Sequence, residues 1–287
     1  MRTPTAQVML KPRQVCLAPE IVFPFYQDTG SDEAFFERLH AAQVEALDAL
    51  GMSFRMATVQ DIPCIETLVR SRYDRETADE ISAFDSYRYV LFGNVFLVHD
   101  THNRLCACVY EIGYDHASRP SFLLRLIVQK ESESLGLATI LNRLSVASAA
   151  LRGAKTRNAL LDHYNHTSLY VHLNKIGSYL TDLVDVPCKG IEHHFVSSRP
   201  LTAQTVAANV INDDALHQLV NAPRLPPGLT LADADDLPRL RQLLRHEGFA
   251  VIAITRPGAL SGCPKLLLAQ MEPLTNGLPP TLWKSPR

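Results

Sequence analysis

One stretch limits what this chain can fold into more than any other. From Phe122 to Leu144 it reads FLLRLIVQKESESLGLATILNRL. Phe122 to Val128 is an apolar run interrupted only by Arg125, and its residues suit a buried strand. Gln129 to Ser134 is polar, and Leu135-Gly136-Leu137-Ala138 then opens a pattern with apolar residues at helical spacing. A strand, a polar loop with small residues and a helix form a layout that offers backbone N–H groups to phosphates at a helix N-terminus. Ser134, Leu135, Gly136, Leu137, Ala138 and Thr139 are the candidates for that contact.

The flanking sequence supplies alternating strands and helices. Ser31 starts a helix with Asp32 and Glu33 in its first turn, running to Leu50 and stopped by Gly51. Phe54 to Arg70 reads as strand, turn and helix, with Asp61 placed to cap and Pro63 just inside the helix. Arg72 to Ser86 is charged and partly helical. Tyr89 to Asp100 reads as a strand with Gly93-Asn94 as a break within it, and a turn at Thr101–Arg104 leads into a strand over Leu105 to Gly113. Asn158 to Tyr164 is a strand, His166 to Ile176 a helix ended by Gly177, and Ile191 to Val196 a further strand with Leu183 to Val186 as its partner. This order predicts an α/β sheet of mixed, mostly antiparallel direction with helices on both faces.

The two ends add to that unit. Residues 1 to about 30 hold Pro4, Pro12, Pro19 and Pro24 around short apolar pieces and read as an arm with a short edge strand. Leu229 to Arg245 aligns without gaps to Phe54 to Arg70, with Ala57/Ala232, Asp61/Asp236, Pro63/Pro238, Leu68/Leu243 and Arg70/Arg245 coinciding. Either any strand–turn–helix with a proline near the helix start looks alike, or this is a truncated internal duplication. Phe249 to Ile254 and Lys265 to Met271 follow as strands. The expected organisation is an arm and helix at 1–52, a central domain at 53–199, a helix and linker at 200–228 and a partial repeat with a tail at 229–287.

Composition excludes several classes. Formal net charge is −2 in 287 residues, with no block of like charge, so no basic field argues for nucleic acid. No apolar run reaches the roughly 18 residues of a membrane span, and the first residues lack a signal-peptide core. The six cysteines are scattered without a CxxC pair, which suits reduced thiols in the cytoplasm. His163-x-x-His166 and His99-x-x-His102 lack a third ligand at a recognised spacing, so no metal is expected.

The segment Phe54 to Val196 resembles the GCN5-related N-acetyltransferase superfamily. The run Glu133-Ser134-Leu135-Gly136-Leu137-Ala138 is similar to that family's acyl-CoA loop, Arg/Gln-x-x-Gly-x-Gly/Ala, with glutamate at the first position. Asn165 to Gly177 resembles its later Asn-x-x-Ala, tyrosine, lysine and glycine, with one extra residue before the glycine. His172 sits nearest the family's tyrosine and Tyr170 lies two residues earlier. Leu124-Arg125-Leu126-Ile127-Val128 is also similar to the Ser-Arg-Phe/Leu-Ala-Val strand of homoserine-lactone and N-acyl amino acid synthases. The resemblance implies an acyltransferase with acetyl-CoA or another acyl-CoA as co-substrate. The acceptor would be the primary amine of a small molecule. Acyl carrier protein is the alternative donor, a homodimer one possible assembly, and a non-catalytic ligand-binding protein the alternative outcome.

Acyl transfer to an amine needs a base for the amine, a donor for the oxyanion and a proton for the leaving thiolate. Splayed parallel strands would offer backbone N–H groups of Leu126, Ile127 and Val128 to the thioester, with Asn165 contributing near the donor. Glu111 on the neighbouring strand, or Asp162 or His163 on the next, could serve as base. Either Tyr170 or His172 could serve as acid, since two residues apart on a helix they point to different sides. Period 2 groups Arg125 with Leu123 and Ile127. It is either paired with a carboxylate such as Glu111 or placed to hold an anionic group of the substrate.

Overall fold

Alternation of apolar residues along short strands, and their 3.6-residue spacing between, produce the elements of the chain. The computed structural model describes residues 10–12, 28–73, 83–113, 120–187, 191–207, 213–257 and 263–273. In order these form β1 (Leu10–Pro12), α1 (Asp32–Ala49), β2 (Ser53–Met56), α2 (Ile62–Arg72), α3 (Ala83–Phe92), β3 (Asn94–His99), β4 (Leu105–Gly113), β5 (Pro120–Val128) and α4 (Leu137–Leu151). There follow β6 (Thr156–Asp162), α5 (His166–Tyr170), β7 (Leu180–Pro187), β8 (Ile191–Pro200), α6 (Ala203–Ala207), α7 (Asp213–Val220), β9 (Leu229–Asp233), α8 (Leu237–Arg245), β10 (Phe249–Ile254) and β11 (Lys265–Pro273).

The strands make one 11-stranded sheet in the order β1-β11-β10-β7-β8-β6-β5-β4-β3-β2, with β9 also against β11. Among these pairs only β5 and β6 run parallel; the rest are antiparallel. The expected mixed, mostly antiparallel α/β architecture is what forms. Helix α4 covers one face over Leu123, Val109, Ala159 and Leu161, while Ile65, Leu68 and Val69 of α2 cover the other over Cys108, Tyr110 and Ile127. Helix α1 lies outside α4, joining Phe35, Phe36 and Leu39 to Val146 and Ala147. Ser31 caps α1 by accepting from the Ala34 N–H, as its sequence predicts.

Several expectations change. The strand expected over Tyr89 to Asp100 begins only at Asn94, because α3 continues through Phe92. Gly93 makes that turn: a Cβ there would sit 2.8 Å from the Tyr89 carbonyl oxygen and 3.1 Å from that of Glu111. The edge strand from the N-terminal arm is β1, against the end of β11, whereas the piece around Val22 lies outside the described residues. The repeat Leu229–Arg245 forms a strand and a helix like Phe54–Arg70, with Asp236 capping α8 through the Arg239 N–H. The two units then diverge. Strand β2 pairs with the next strand, β3, whereas β9 pairs with β11 and leaves β10 on the far side of β11.

The extra residue before Gly177 has a physical counterpart. Val171–Lys175 is a π-helical turn in which the Ile176 N–H reaches back five residues to the Val171 carbonyl at 3.1 Å. Such a turn accommodates one inserted residue within an otherwise continuous helix. Asn174 in this turn ties it to the C-terminal unit, donating to the Ile254 carbonyl and accepting from the Ile254 N–H, each at 3.0 Å.

Candidate functional site

The central strands part company at one place. Strands β5 and β6 pair only from Pro120/Thr156 to Leu123/Ala159. Beyond it, the β6-facing edge of Leu126, Ile127 and Val128 borders a gap, while their other edge stays bonded to β4 opposite Val109, Cys108 and Ala107. A bulge marks the start of the gap. Tyr110 lies opposite Arg125 but Glu111 lies opposite Leu123, so Leu124 is the inserted residue.

The loop after β5 winds as a 3₁₀ turn over Lys130–Leu135 and ends at Gly136, whose φ of 75° is the left-handed conformation that glycine tolerates. Helix α4 begins at Leu137 with no side-chain cap. Its first N–H groups, at Leu137, Ala138 and Thr139, belong to the set that an α-helix leaves without intrahelical acceptors apart from a tight bond of the Thr139 N–H to the Gly136 carbonyl. Ser134, Leu135 and Gly136 are exposed beside them. Glu133 does not face this end alone: Arg72 of α2 forms a salt bridge with it, which offsets the carboxylate beside the loop. The residues present therefore fit a phosphate-bearing donor, with the helix dipole favouring negative charge at that position.

The proposed acid–base residues are placed differently from expectation. Glu111 is not at the gap. It faces α4 and is 1% exposed. It accepts from Arg157 Nε at 3.2 Å and Nη2 at 3.0 Å, and from the hydroxyls of Ser121 and Ser145. A carboxylate so saturated is the anionic half of a buried ion pair and has no lone pair to spare for an amine. His172 joins the same network. Arg157 Nη1 donates to Asn142 Oδ1 at 2.7 Å, which turns the Asn142 amide nitrogen toward His172 Nε2 at 3.3 Å. The imidazole therefore accepts through Nε2 and carries its proton on Nδ1. Burial, then the charges of Arg157 and Arg199, hold its pKa down to about 3. Such a histidine is no acid for a thiolate at neutral pH.

Tyr170 points elsewhere. Its hydroxyl donates to the Asp213 carboxylate of α7 at 2.6–2.7 Å, and Lys175 Nζ lies 4.9 Å from its ring centre. Burial and then the Asp213 hydrogen bond push its pKa up, so it too is a poor proton donor. Asn165 caps α5 by accepting from the Ser168 N–H at 3.0 Å. Asp162 is exposed at the end of β6 and accepts from the Tyr164 N–H at 3.0 Å. His163 is 1% exposed and its Nδ1 lies 3.0 Å from the His193 carbonyl. A carbonyl can only accept, so Nδ1 bears the proton and Nε2 keeps a lone pair, which has no partner among the described residues. Burial, the largest influence, lowers the His163 pKa.

Three partners of these candidate residues escaped the sequence reading: Arg157, Arg72 and Asp213. Arg157 was the most accessible of them. It shares the period-2 face of Ala159 and Leu161, and a cation on an inward face calls for an acidic partner. The other two partners are 61 and 43 residues distant from Glu133 and Tyr170, a separation no local pattern spans. A cavity of about 430 Å³ lies at the opposite end of β5, bordered by Phe92, Asn94, Pro120, Ser121 and Arg152. Among the described residues no group of three or more His, Cys, Asp or Glu side chains could hold a metal, and no helix is long and apolar enough to cross a membrane.

No protein-family model and no curated protein matches the chain. Solved structures superimpose on about half of its length. The structure of the NatC complex bound to Gag peptide and CoA superimposes with a TM-score of 0.47 at 12% identity, covering 53% of this chain and 99% of that one. A GNAT-family acetyltransferase from Desulfovibrio desulfuricans gives 0.45 at 14% identity, with 53% and 99% covered. Spermidine N-acetyltransferase from Vibrio cholerae gives 0.45 at 14%, with 54% and 96% covered.

Proposed function

We propose that residues 53–199 form an N-acyltransferase of the GCN5-related type, moving an acetyl or short acyl group from acyl-CoA to a primary amine by direct attack. One observation carries this reading: β5 and β6 separate after Leu123 and Ala159, and the strand that borders the gap leads through a 3₁₀ turn into the uncapped start of α4 at Gly136. The exposed edge of Leu126–Val128 then provides N–H groups for the carbonyl of a thioester, and the α4 N-terminus lies where its phosphates would follow. The residue resemblance of Glu133–Ala138 and Asn165–Gly177 to the family motifs supports the same placement.

The chemistry asks little more of the chain. The bound donor supplies an activated acyl group with a thiolate leaving group. None of the candidate residues is placed to protonate that thiolate, so it takes its proton from water as it leaves. We assign the proton of the amine to His163, which is oriented by the His193 carbonyl and whose buried Nε2 keeps a lone pair without a partner among the described residues. Thermal unfolding with acetyl-CoA, longer acyl-CoAs and acyl carrier protein tests the proposal and reads the donor class. Stabilisation by an acyl-CoA is expected, and Gly136→Glu should abolish it while leaving the fold intact. Absence of stabilisation by every donor would remove the proposal.

A further inference from the structure

The bulge at Leu124 has a chemical result. Regular alternation would put Arg125 on one face with Leu123, next to Glu111. The inserted residue reverses this: Leu123 packs under α4, whereas Arg125 lies opposite Tyr110 and shares its face with Cys108 and Ile127. Glu111, the carboxylate that would have paired with it, is occupied by Arg157 on the other side of the sheet. Arg125 is half-buried, and its charge is felt by Tyr73, Cys108 and Tyr110; no carboxylate pairs with it among the described residues. The Tyr110 hydroxyl, buried on the same face, turns toward that of Ser86 on α3, and neither meets a charged group among the described residues. A guanidinium held in this way on a central strand, with no counter-charge among the described residues, is arranged to take up an anion.

We infer that Arg125 holds the carboxylate of the acceptor, so that the acceptor is an amino acid or a similar amine bearing a carboxylate. This rests on the acyl-transfer reading, because the position of Arg125 defines the acceptor only if acylation takes place at the gap. Arg125 is the second residue past the last β5/β6 pair, and the edge assigned to the thioester begins at the next residue. Strand rise places Leu126 and Ile127 roughly 3–7 Å further along. That separation is of the order of a small amino acid, so one molecule can meet the guanidinium and the gap together. The planar fork of arginine takes both carboxylate oxygens at once, which lysine cannot do.

The test pairs each acceptor with its decarboxylated counterpart: phenylalanine with phenethylamine, lysine with cadaverine, β-alanine with ethylamine. Free thiol released from acetyl-CoA is measured, and alongside it thermal stabilisation by N-acetyl amino acids and by their neutral amides. A kcat/KM at least tenfold higher for the carboxylate member is expected. Arg125→Met should abolish that preference and Arg125→Lys should reduce it, with stabilisation by acetyl-CoA retained in both. Equal rates within each pair, or a preference that survives in Arg125→Met, overturn the inference and leave acyl transfer standing. If no amine is acylated but N-acetyl amino acids stabilise the wild type and not Arg125→Met, the carboxylate site stands and the acyl-transfer reading falls. If neither turnover nor carboxylate-specific stabilisation occurs, both are refuted.

Discussion

His172 makes the stability of this fold depend on acid in a way that can be worked out in advance. The imidazole is 3% exposed, receives the Asn142 amide on Nε2, and lies near the charges of Arg157 and Arg199. Glu111, on the far side of Arg157, is too fully engaged to compensate. Its folded pKa of about 3 lies below the unfolded value of 6.5. The unfolded chain therefore binds the proton first, and stability contributed at neutral pH is lost as pH falls below 6.5, until the folded group titrates as well. Between pH 7 and pH 5 the unfolded form gains about 0.7 of a proton that the folded form does not. Integrating that difference gives about 2 kcal/mol, a value that hardly changes if the folded pKa is 4 instead of 3. Urea unfolding of the wild type and of His172→Gln at pH 7, 6 and 5 isolates this group. The glutamine oxygen can accept from Asn142 where Nε2 does, and the other titrating groups cancel in the comparison. With a slope of about 3 kcal/mol per molar urea, the wild-type midpoint should fall by about 0.7 M more than that of the variant. Parallel midpoints across the pH range would show that His172 is solvated, or charged, in the folded state, and would refute the network as described.

Other predictions address separate parts of the structure. Glu111→Gln leaves Arg157 buried without its counter-charge and should cost about 3–5 kcal/mol in urea unfolding, the double variant Glu111→Gln with Arg157→Met recovering part of it; an unchanged midpoint would return Glu111 to the list of candidate bases. Asn174→Ala removes both bonds to Ile254 and should cost about 2–4 kcal/mol, with faster hydrogen exchange at the Ile254 amide as the specific sign. Gly136→Ala forces a side chain into the left-handed region where space is otherwise open, and should cost about 1–2 kcal/mol in thermal unfolding with little change in packing. If His163 is the base, log kcat/KM should be level at neutral pH and fall only below pH 6.5, since burial lowers its pKa; a decline that already begins near pH 8 would exclude it.

Local chemistry made much of the fold legible. The apolar run ending at Val128, the Ser31 cap and the strands of Leu105–Gly113 and Phe249–Ile254 follow from periodicity, capping and backbone preference within a few residues of each other. Those forces act over short stretches, and so they can be read from a short stretch. Arg72 with Glu133, Asp213 with Tyr170 and Arg157 with Glu111 are pairings between distant segments, fixed only when the sheet closes.

By itself, then, the sequence determined the α/β class, the order of most elements and the position of the loop that leads into α4. Tertiary structure decided which polar side chains face that gap. A single inserted residue at Leu124 turns Arg125 away from Glu111, because strand side chains alternate and one extra residue reverses every face beyond it. Packing of α5 and the following π turn against α4 and β10 then buries His172 and leaves Tyr170 on Asp213. Burial and neighbouring charge, which no sequence pattern carries, are what separate a proton carrier from a structural side chain here.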